Sequence, residues 1–328
     1  MTATDAEKAN VPGRTADGRT LLPVPYGWFS LGRLDELPTA PVAPAYAFGH
    51  DLVLWRDGAD STYRASAAWC PHLGAHIGHG GRVEDGCLVC PFHEWSFDLG
   101  GANVSIPYAE RPNRKARLRT FPTIARNRHL LAWYHPDAQQ APMWDVPEAL
   151  PEHPVECLRL DRRIGTAWQE VAENSVDMAH FKSVHGMSRV APMGNLHIDG
   201  PYRQVLSTQA FRTPRGEMEG QIESNSFGPG VGVVHFTLIG KVTLISTTTP
   251  LEADQVDLRF TMYHAEGDSL AAKIGQGFGA EVARQLDQDI PIWEHKRYQP
   301  SPALAPSEKA ITEFRRWARQ FYAEGAAG

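Results

Sequence analysis

The sequence predicts an α+β protein: an N-terminal all-β domain, then a C-terminal domain whose antiparallel sheet holds a long helix across one face. Three observations predict it. From Leu21 to about Pro136, short apolar runs alternate with turn signals, the pattern of a small antiparallel β domain. Pro136, Pro142, Pro147, Pro151 and Pro154 then crowd one stretch; proline removes backbone donors and breaks helix and strand alike, so residues 137–154 read as a semi-rigid connector. Over residues 155–328, a block of strand-like segments is bounded at both ends by helical ones.

In chain order, residues 1–20 are polar, lack an apolar period and read as a loose arm. In the β domain, residues 21–136, Ala47–Trp55 is a hairpin turning near Gly49. Arg82–Cys90 is another, turning at Glu84-Asp85-Gly86, and His129–Tyr134 is a closing strand. The second domain opens with a strand over Val155–Leu160 and a helical stretch from about Thr166. Strands are expected at 202–212, 218–226, 231–239 and 241–249, and again at Val256–Tyr263. In that last strand Val256, Leu258, Phe260 and Met262 alternate with polar residues, predicting one buried face. Helices are expected over Ser269–Arg297 and Ser307–Glu324.

Composition narrows the class. With 42% hydrophobic and 21% charged residues the chain is an ordinary globular protein, and a net charge of −6 offers no basic footprint for nucleic acid. No apolar run approaches the length of a membrane span, and the first residues lack a signal-peptide core, so a cytoplasmic protein is expected. Cys87 and Cys157 read as free thiols.

The first chemical signature is Cys70-Pro-His72, then seventeen residues, then Cys90-Pro-Phe-His93. Each half offers one thiolate and one imidazole. Such a set can hold a tetrahedral zinc, or a [2Fe–2S] cluster with two thiolates on one iron and two imidazoles on the other. Zinc sites usually pair like with like, whereas here each half mixes the two ligand types, which suits a cluster. Pro71 and Pro91 follow the cysteines, and nearby Gly74, Gly78, Gly80 and Gly81 permit tight turns. His76 and His79 lie between the two halves and are assigned to loop surface.

The second runs from Glu173 to His185 and contains Asn174, Asp177 and His180. His180 and His185 are roughly 140° apart on an ideal helix, so they can share a metal only if the helix loosens between them. Gly186 predicts that it ends just after His185. A carboxylate would complete a 2-His-1-carboxylate face suited to non-haem Fe(II), with positions open for dioxygen. Phe278, Val282, Leu286, Asp289 and Trp293 form a helical stripe that puts Asp289 on the buried side and leaves Asp287 solvated, and Pro291 is expected to kink that helix. Asp177 and His180, three apart, can share one helix face. Gly275-Gln-Gly-Phe-Gly279 lies inside a predicted helix with no strand before it, so no nicotinamide or flavin site is expected. Gly228-Pro-Gly-Val-Gly232 reads as a hairpin turn.

The first signature resembles the Rieske motif C-x-H…C-x-x-H, with Trp95 and Phe97 following as in many Rieske oxygenases. Asn174, Asp177, His180 and His185 match the N-x-x-D-x-x-H-x₄-H signature of Rieske non-haem iron oxygenases, and Asp289 matches that family's third ligand. The stretches Val104–Pro112 and Gln288–Tyr298 are similar to 3-ketosteroid 9α-hydroxylase oxygenases, the latter also to Rieske-type cholesterol 7-desaturases. The resemblance, spanning about Tyr26 to Lys296, implies a Rieske domain followed by a helix-grip catalytic domain, assembled as a head-to-tail trimer. It implies a [2Fe–2S] cluster on Cys70, His72, Cys90 and His93, and mononuclear Fe(II) on His180, His185 and Asp289. Asp177 would bridge His180 to His93 of a neighbouring subunit, and Asn174 would position water or dioxygen. A separate NAD(P)H-dependent reductase would supply electrons, and O2 would hydroxylate a steroid or similar hydrophobic polycyclic substrate. Sterol desaturation, O-demethylation of an aromatic ether and plain Rieske electron transfer are the alternatives.

Overall fold

The computed structural model describes residues 13–14, 20–58, 61–187, 194–213, 216–237 and 240–323. Most of the predicted loose arm lies outside them. Two-residue strands β1 (Gly13–Arg14) and β2 (Thr20–Leu21) pair with each other. The N-terminal part then contains β3 (Gly27–Arg33), β4 (Val42–Ala47), β5 (His50–Trp55), β6 (Arg64–Ala67), β7 (Arg82–Glu84), β8 (Cys87–Val89), β9 (Ser96–Phe97), β10 (Asn103–Ser105), β11 (Thr120–Phe121), β12 (Thr123–Arg126) and β13 (His129–Tyr134). They form three small antiparallel sheets, ordered β10-β9-β8-β7, β11-β6-β5-β4 and β12-β13-β3.

Strand β5 shows how these sheets share a core. Leu52, Val53, Leu54 and Trp55 are all buried, because alternate side chains enter different clusters. Leu52 and Leu54 join Phe29, Phe48 and Tyr134, while Val53 and Trp55 join Ile77, Phe97, Cys70 and Cys90. The hairpins at Gly49 and at Glu84-Asp85-Gly86 are as expected, with positive φ at Phe48, Gly49, Asp85 and Gly86.

The C-terminal part is a seven-stranded antiparallel sheet, β14 (Pro154–Ile164), β15 (Asn195–Asp199), β16 (Tyr202–Thr213), β17 (Gly216–Phe227), β18 (Val231–Thr237), β19 (Lys241–Glu252) and β20 (Gln255–Ala265). Its order is β14-β20-β19-β18-β17-β16-β15. Residues 238–239, expected to end a strand, are outside the described residues. Between β14 and β15 lie α1 (Trp168–Glu173), a 3₁₀ turn (Asn174–Val176) and the single-turn α2 (His180–Ser183); α3 (Ser269–His295) and α4 (Lys309–Ala318) follow the sheet.

Helix α3 crosses one sheet face, and its glycines set the distance. A Cβ at Gly275 would stand 2.7 Å from Cys157 Sγ, and one at Gly279 would stand 3.1 Å from Leu158. Gly275 and Gly279 therefore serve close helix–strand packing, whereas a Cβ at Gly277 would meet nothing within 4 Å.

One expectation needs correction. The single buried face predicted for Val256–Tyr263 is incomplete: Thr261 and Tyr263 on the opposite face are also buried. Arg33 of β3 donates to Thr261 Oγ1 at 2.7 Å, and Leu150 packs near Tyr263, so the N-terminal part and the proline-rich segment cover that face. Helix α3 runs on past Pro291 to His295.

Candidate metal centres

The Cys70 and Cys90 loops follow one hydrogen-bond plan. Cys70 N–H donates to Ala75 O at 2.8 Å and Gly74 N–H returns to Cys70 O at 2.9 Å. In the other loop Cys90 N–H donates to Trp95 O at 3.0 Å and Glu94 N–H returns to Cys90 O at 3.1 Å. The fourth residue after each cysteine has positive φ, +73° at Gly74 and +55° at Glu94. Both turns thus curl back, and both cysteines are buried.

Like ligands meet across the loops. The two thiols are neighbours, and burial together with Cys90 pushes the Cys70 thiol up to about 11. The His72 and His93 rings lie 4.6 Å apart, and His72 stacks on Trp95 at 4.4 Å with 7° between planes. His72 Nδ1 is buried without a hydrogen-bond partner, as an unused ligand atom would be. A tetrahedral zinc would draw all four ligand atoms together. Among the described residues, however, the one group of three or more potential ligand atoms within 4.8 Å of one another is elsewhere. Cysteine beside cysteine and histidine beside histidine fits two metal ions, each held by one pair.

That compact group is His180, His185 and Asp289, all buried. The helix ends at Ser183, two residues before His185 and earlier than expected, so the chain turns and brings the two imidazoles to 5.0 Å with 81° between planes. Each ring has its Nδ1 held by an oxygen. His180 Nδ1 lies 2.5 Å from Asp177 O, and His185 Nδ1 lies 3.0 Å from Gln288 Oε1. Both acceptors lack a proton, so each Nδ1 carries the hydrogen and each Nε2 presents a lone pair. His185 Nε2 is 3.4 Å from Asp289 Oδ1, and Asn174 Nδ2 is 3.0 Å from Asp289 Oδ2 and 3.3 Å from His180 Nε2. Burial pushes the Asp289 carboxyl up, opposed by the two histidines. A buried carboxylate between two imidazole lone pairs is an incomplete charge arrangement that a divalent cation completes, so the donor set fits non-haem iron.

Asp177 is not on a shared helix face with His180. It lies in extended conformation before α2, where its Oδ1 accepts from Ala179 N at 3.0 Å as an N-cap. Its backbone carbonyl, rather than its carboxylate, takes the His180 ring Nδ1–H, while Oδ1 accepts from the His180 backbone N–H at 3.4 Å; Oδ2 is 3.7 Å from His180 Nδ1. Asp287 is exposed, as expected, and pairs with Arg162. His79 is on the loop surface, while His76 is half-buried and packs edge-on against Trp69. Sequence reasoning missed Gln288 and Arg284, although their four-residue spacing beside Asp289 was a usable signal. No helix among the described residues is long and apolar enough to cross a membrane.

Comparison with known proteins agrees with this geometry. Residues 27–122 match the Rieske [2Fe-2S] domain, and residues 132–322, more than half of the chain, match the 3-ketosteroid 9alpha-hydroxylase C-terminal domain. Cholesterol 7-desaturase nvd 1 of Ciona intestinalis is 28% identical over 94% of this chain and 71% of that protein. The oxygenase component of 3-ketosteroid-9-alpha-monooxygenase of Rhodococcus rhodochrous is 28% identical over 91% of this chain and 80% of its own. In fold, NdmB of Pseudomonas putida CBB5 superposes with a TM-score of 0.69 at 19% identity, covering 89% of each chain. The chain belongs to the 3-ketosteroid 9α-hydroxylase C-terminal domain family, joined to a Rieske domain, and is an oxidoreductase of the Rieske non-haem iron oxygenase type, with a [2Fe–2S] cluster and a mononuclear iron as cofactors.

Proposed function

We propose that the chain is the terminal oxygenase of a multicomponent monooxygenase that hydroxylates a steroid or similar polycyclic substrate, with electrons from a separate NAD(P)H-dependent reductase. The observation that carries this reading is the His180–His185–Asp289 group. In it both Nδ1 atoms are held by acceptors outside the group, both Nε2 atoms face Asp289 or its Asn174 partner, and among the described residues no fourth His, Cys, Asp or Glu joins the group. When bound, the two iron groups supply electron relay and dioxygen activation. Cys70, His72, Cys90 and His93 hold the first, and His180, His185 and Asp289 hold the second. Asn174 tethers the free oxygen of Asp289, orienting that carboxylate.

Substrate class is supported by the likeness to a steroid monooxygenase component, and the likeness to cholesterol 7-desaturases favours sterol desaturation as the second reading. The sheet face beneath α3 is apolar, and its Val242, Leu244 and Met262 pack against Ala271, Phe278 and Val282 of that helix.

Within one chain, no hydrogen bond or ion pair among the described residues joins the two centres. Asp177 keeps a half-exposed carboxylate beside His180, free to receive His93 of a second copy, so a head-to-tail trimer is the proposed assembly. The same reading has the enzyme work in the cytoplasm, where Cys87 and Cys157 stay reduced. The test is NADH-dependent oxygen consumption with a surrogate reductase across steroids, bile acids and aromatic ethers, with product identified. Hydroxylated steroid is expected; a desaturated sterol selects the second reading, and turnover confined to aromatic ethers overturns both.

A further inference from the structure

His180 and His185 are held in different ways. His180 sits in α2, and its ring is fixed by a backbone carbonyl only three residues away. His185 lies beyond the end of that helix, in a turn closed by Met187 N–H donating to Phe181 O at 3.0 Å and followed by Gly186 at φ +69°. That turn leaves the ring unheld, and the restraints on the ring come from α3. Gln288 Oε1 accepts from His185 Nδ1 at 3.0 Å, Arg284 Nη1 donates to the same Oε1 at 2.9 Å, and Arg284 Nη2 reaches the His185 carbonyl at 3.4 Å. Arg284 is itself steadied by Glu281, through 2.5 and 2.8 Å contacts, and Glu281 also accepts from Gln285 at 2.8 Å. One face of α3 thus grips both ring and backbone of His185, one residue before it presents Asp289.

We propose that Gln288, clamped by Arg284, is a positioning residue that fixes the ring plane and Nδ1–H tautomer of His185 and so couples two of the three proposed iron ligands to a single helix. An imidazole ligand must present one nitrogen with its lone pair toward the metal, and the acceptor on its other nitrogen decides which. A neutral amide does this without adding charge, and the Arg284 cation on the same oxygen is balanced by Glu281. Losing the acceptor frees the ring to rotate and to exchange tautomers. Losing Arg284 frees the amide and removes the second restraint on the turn that carries His185, leaving only the Met187 N–H to Phe181 bond.

This inference rests on the iron site proposed above, and the test separates the two. Anaerobic Fe(II) competition titration, with Co(II) absorption as an independent readout of ligand geometry, is run on cluster-containing parent, His185→Ala, Gln288→Leu, Gln288→Glu and Arg284→Met. Cluster absorption reports on folding throughout. Parent binding that His185→Ala abolishes upholds the site; absence of binding in the parent overturns it. With the site upheld, Gln288→Leu is expected to weaken Fe(II) about ten- to a hundredfold and alter the Co(II) bands. Gln288→Glu, which keeps an acceptor, is expected to restore both. Unchanged affinity in Gln288→Leu, or a Gln288→Glu as weak as Gln288→Leu, overturns the proposal. Should Gln288→Leu lose its cluster, Arg284→Met decides, since Arg284 is exposed: weaker Fe(II) binding supports the clamp, and parental binding refutes it.

Discussion

Replacing Gly275 by alanine tests whether the depth at which α3 lies on the sheet is set by that glycine. In an open helix the change would stabilise by about 0.5–1 kcal/mol, because glycine has more backbone freedom to lose. Here the new Cβ would lie 2.7 Å from Cys157 Sγ, while its next contacts, Cys157 Cβ at 3.5 Å and Val242 at 3.8 Å, are ordinary. The conflict is therefore with one atom, and relieving it moves the helix by about 1 Å or forces the thiol off its rotamer, at roughly 1–3 kcal/mol. The net expectation is a loss of about 1 kcal/mol in the parent. In a Cys157→Ala background the obstructing sulfur is gone, and the same substitution should gain about 0.5–1 kcal/mol. Denaturant midpoints for the four members of this cycle measure the coupling, expected at about 1–3 kcal/mol. Because α3 also carries Asp289, Gly275→Ala in the parent should weaken Fe(II) binding as well. Equal stabilisation in both backgrounds would refute the argument.

Other expectations follow from buried charge. Burial, aided by the Arg33 cation, holds the His129 imidazole down to about 3 against an ordinary 6.5. The unfolded chain therefore gains a proton that the folded one refuses, so stability is full above pH 6.5 and falls by about 1.4 kcal/mol per unit between 6.5 and about 3. Denaturation at stepped pH should show a flatter profile in His129→Gln. Glu173 holds Arg315 through 2.6 and 2.9 Å contacts at low exposure, and Arg315 keeps the Gln299 carbonyl and the Tyr298 ring without it, so Glu173→Ala should cost about 1–3 kcal/mol in unfolding free energy. Asp177→Ala should retain both metals by elemental analysis yet lose nearly all turnover, and undiminished turnover would remove the electron bridge.

Much of this site was legible because it depends on local spacing. Cys70-Pro-His72 and Cys90-Pro-Phe-His93 place unlike ligands within a turn, and such short separations survive any tertiary arrangement. Asp289 was legible from the apolar stripe it interrupts, since a carboxylate among Leu286 and Trp293 needs a partner. The α2 region was not. An Asp at an N-cap and an Asp within a helix have the same spacing to His180, and only the extended backbone at Asp177 distinguishes them. The two-sided burial of β20 depends on Arg33, more than two hundred residues earlier, and the grip on His185 depends on Gln288, about a hundred residues later. No period in the sequence encodes contacts at that range. The short edge strand β15 was missed for a related reason: its exposed side chains leave no alternation to read.

Two separate iron centres carry the proposed chemistry, and metal analysis of anaerobically prepared protein counts them. Parent protein should contain about three irons and about two acid-labile sulfides per chain, and Asp289→Ala about two of each with cluster absorption unchanged. Absence of labile sulfide, or an iron content that Asp289→Ala leaves undiminished, would contradict the presence of two centres.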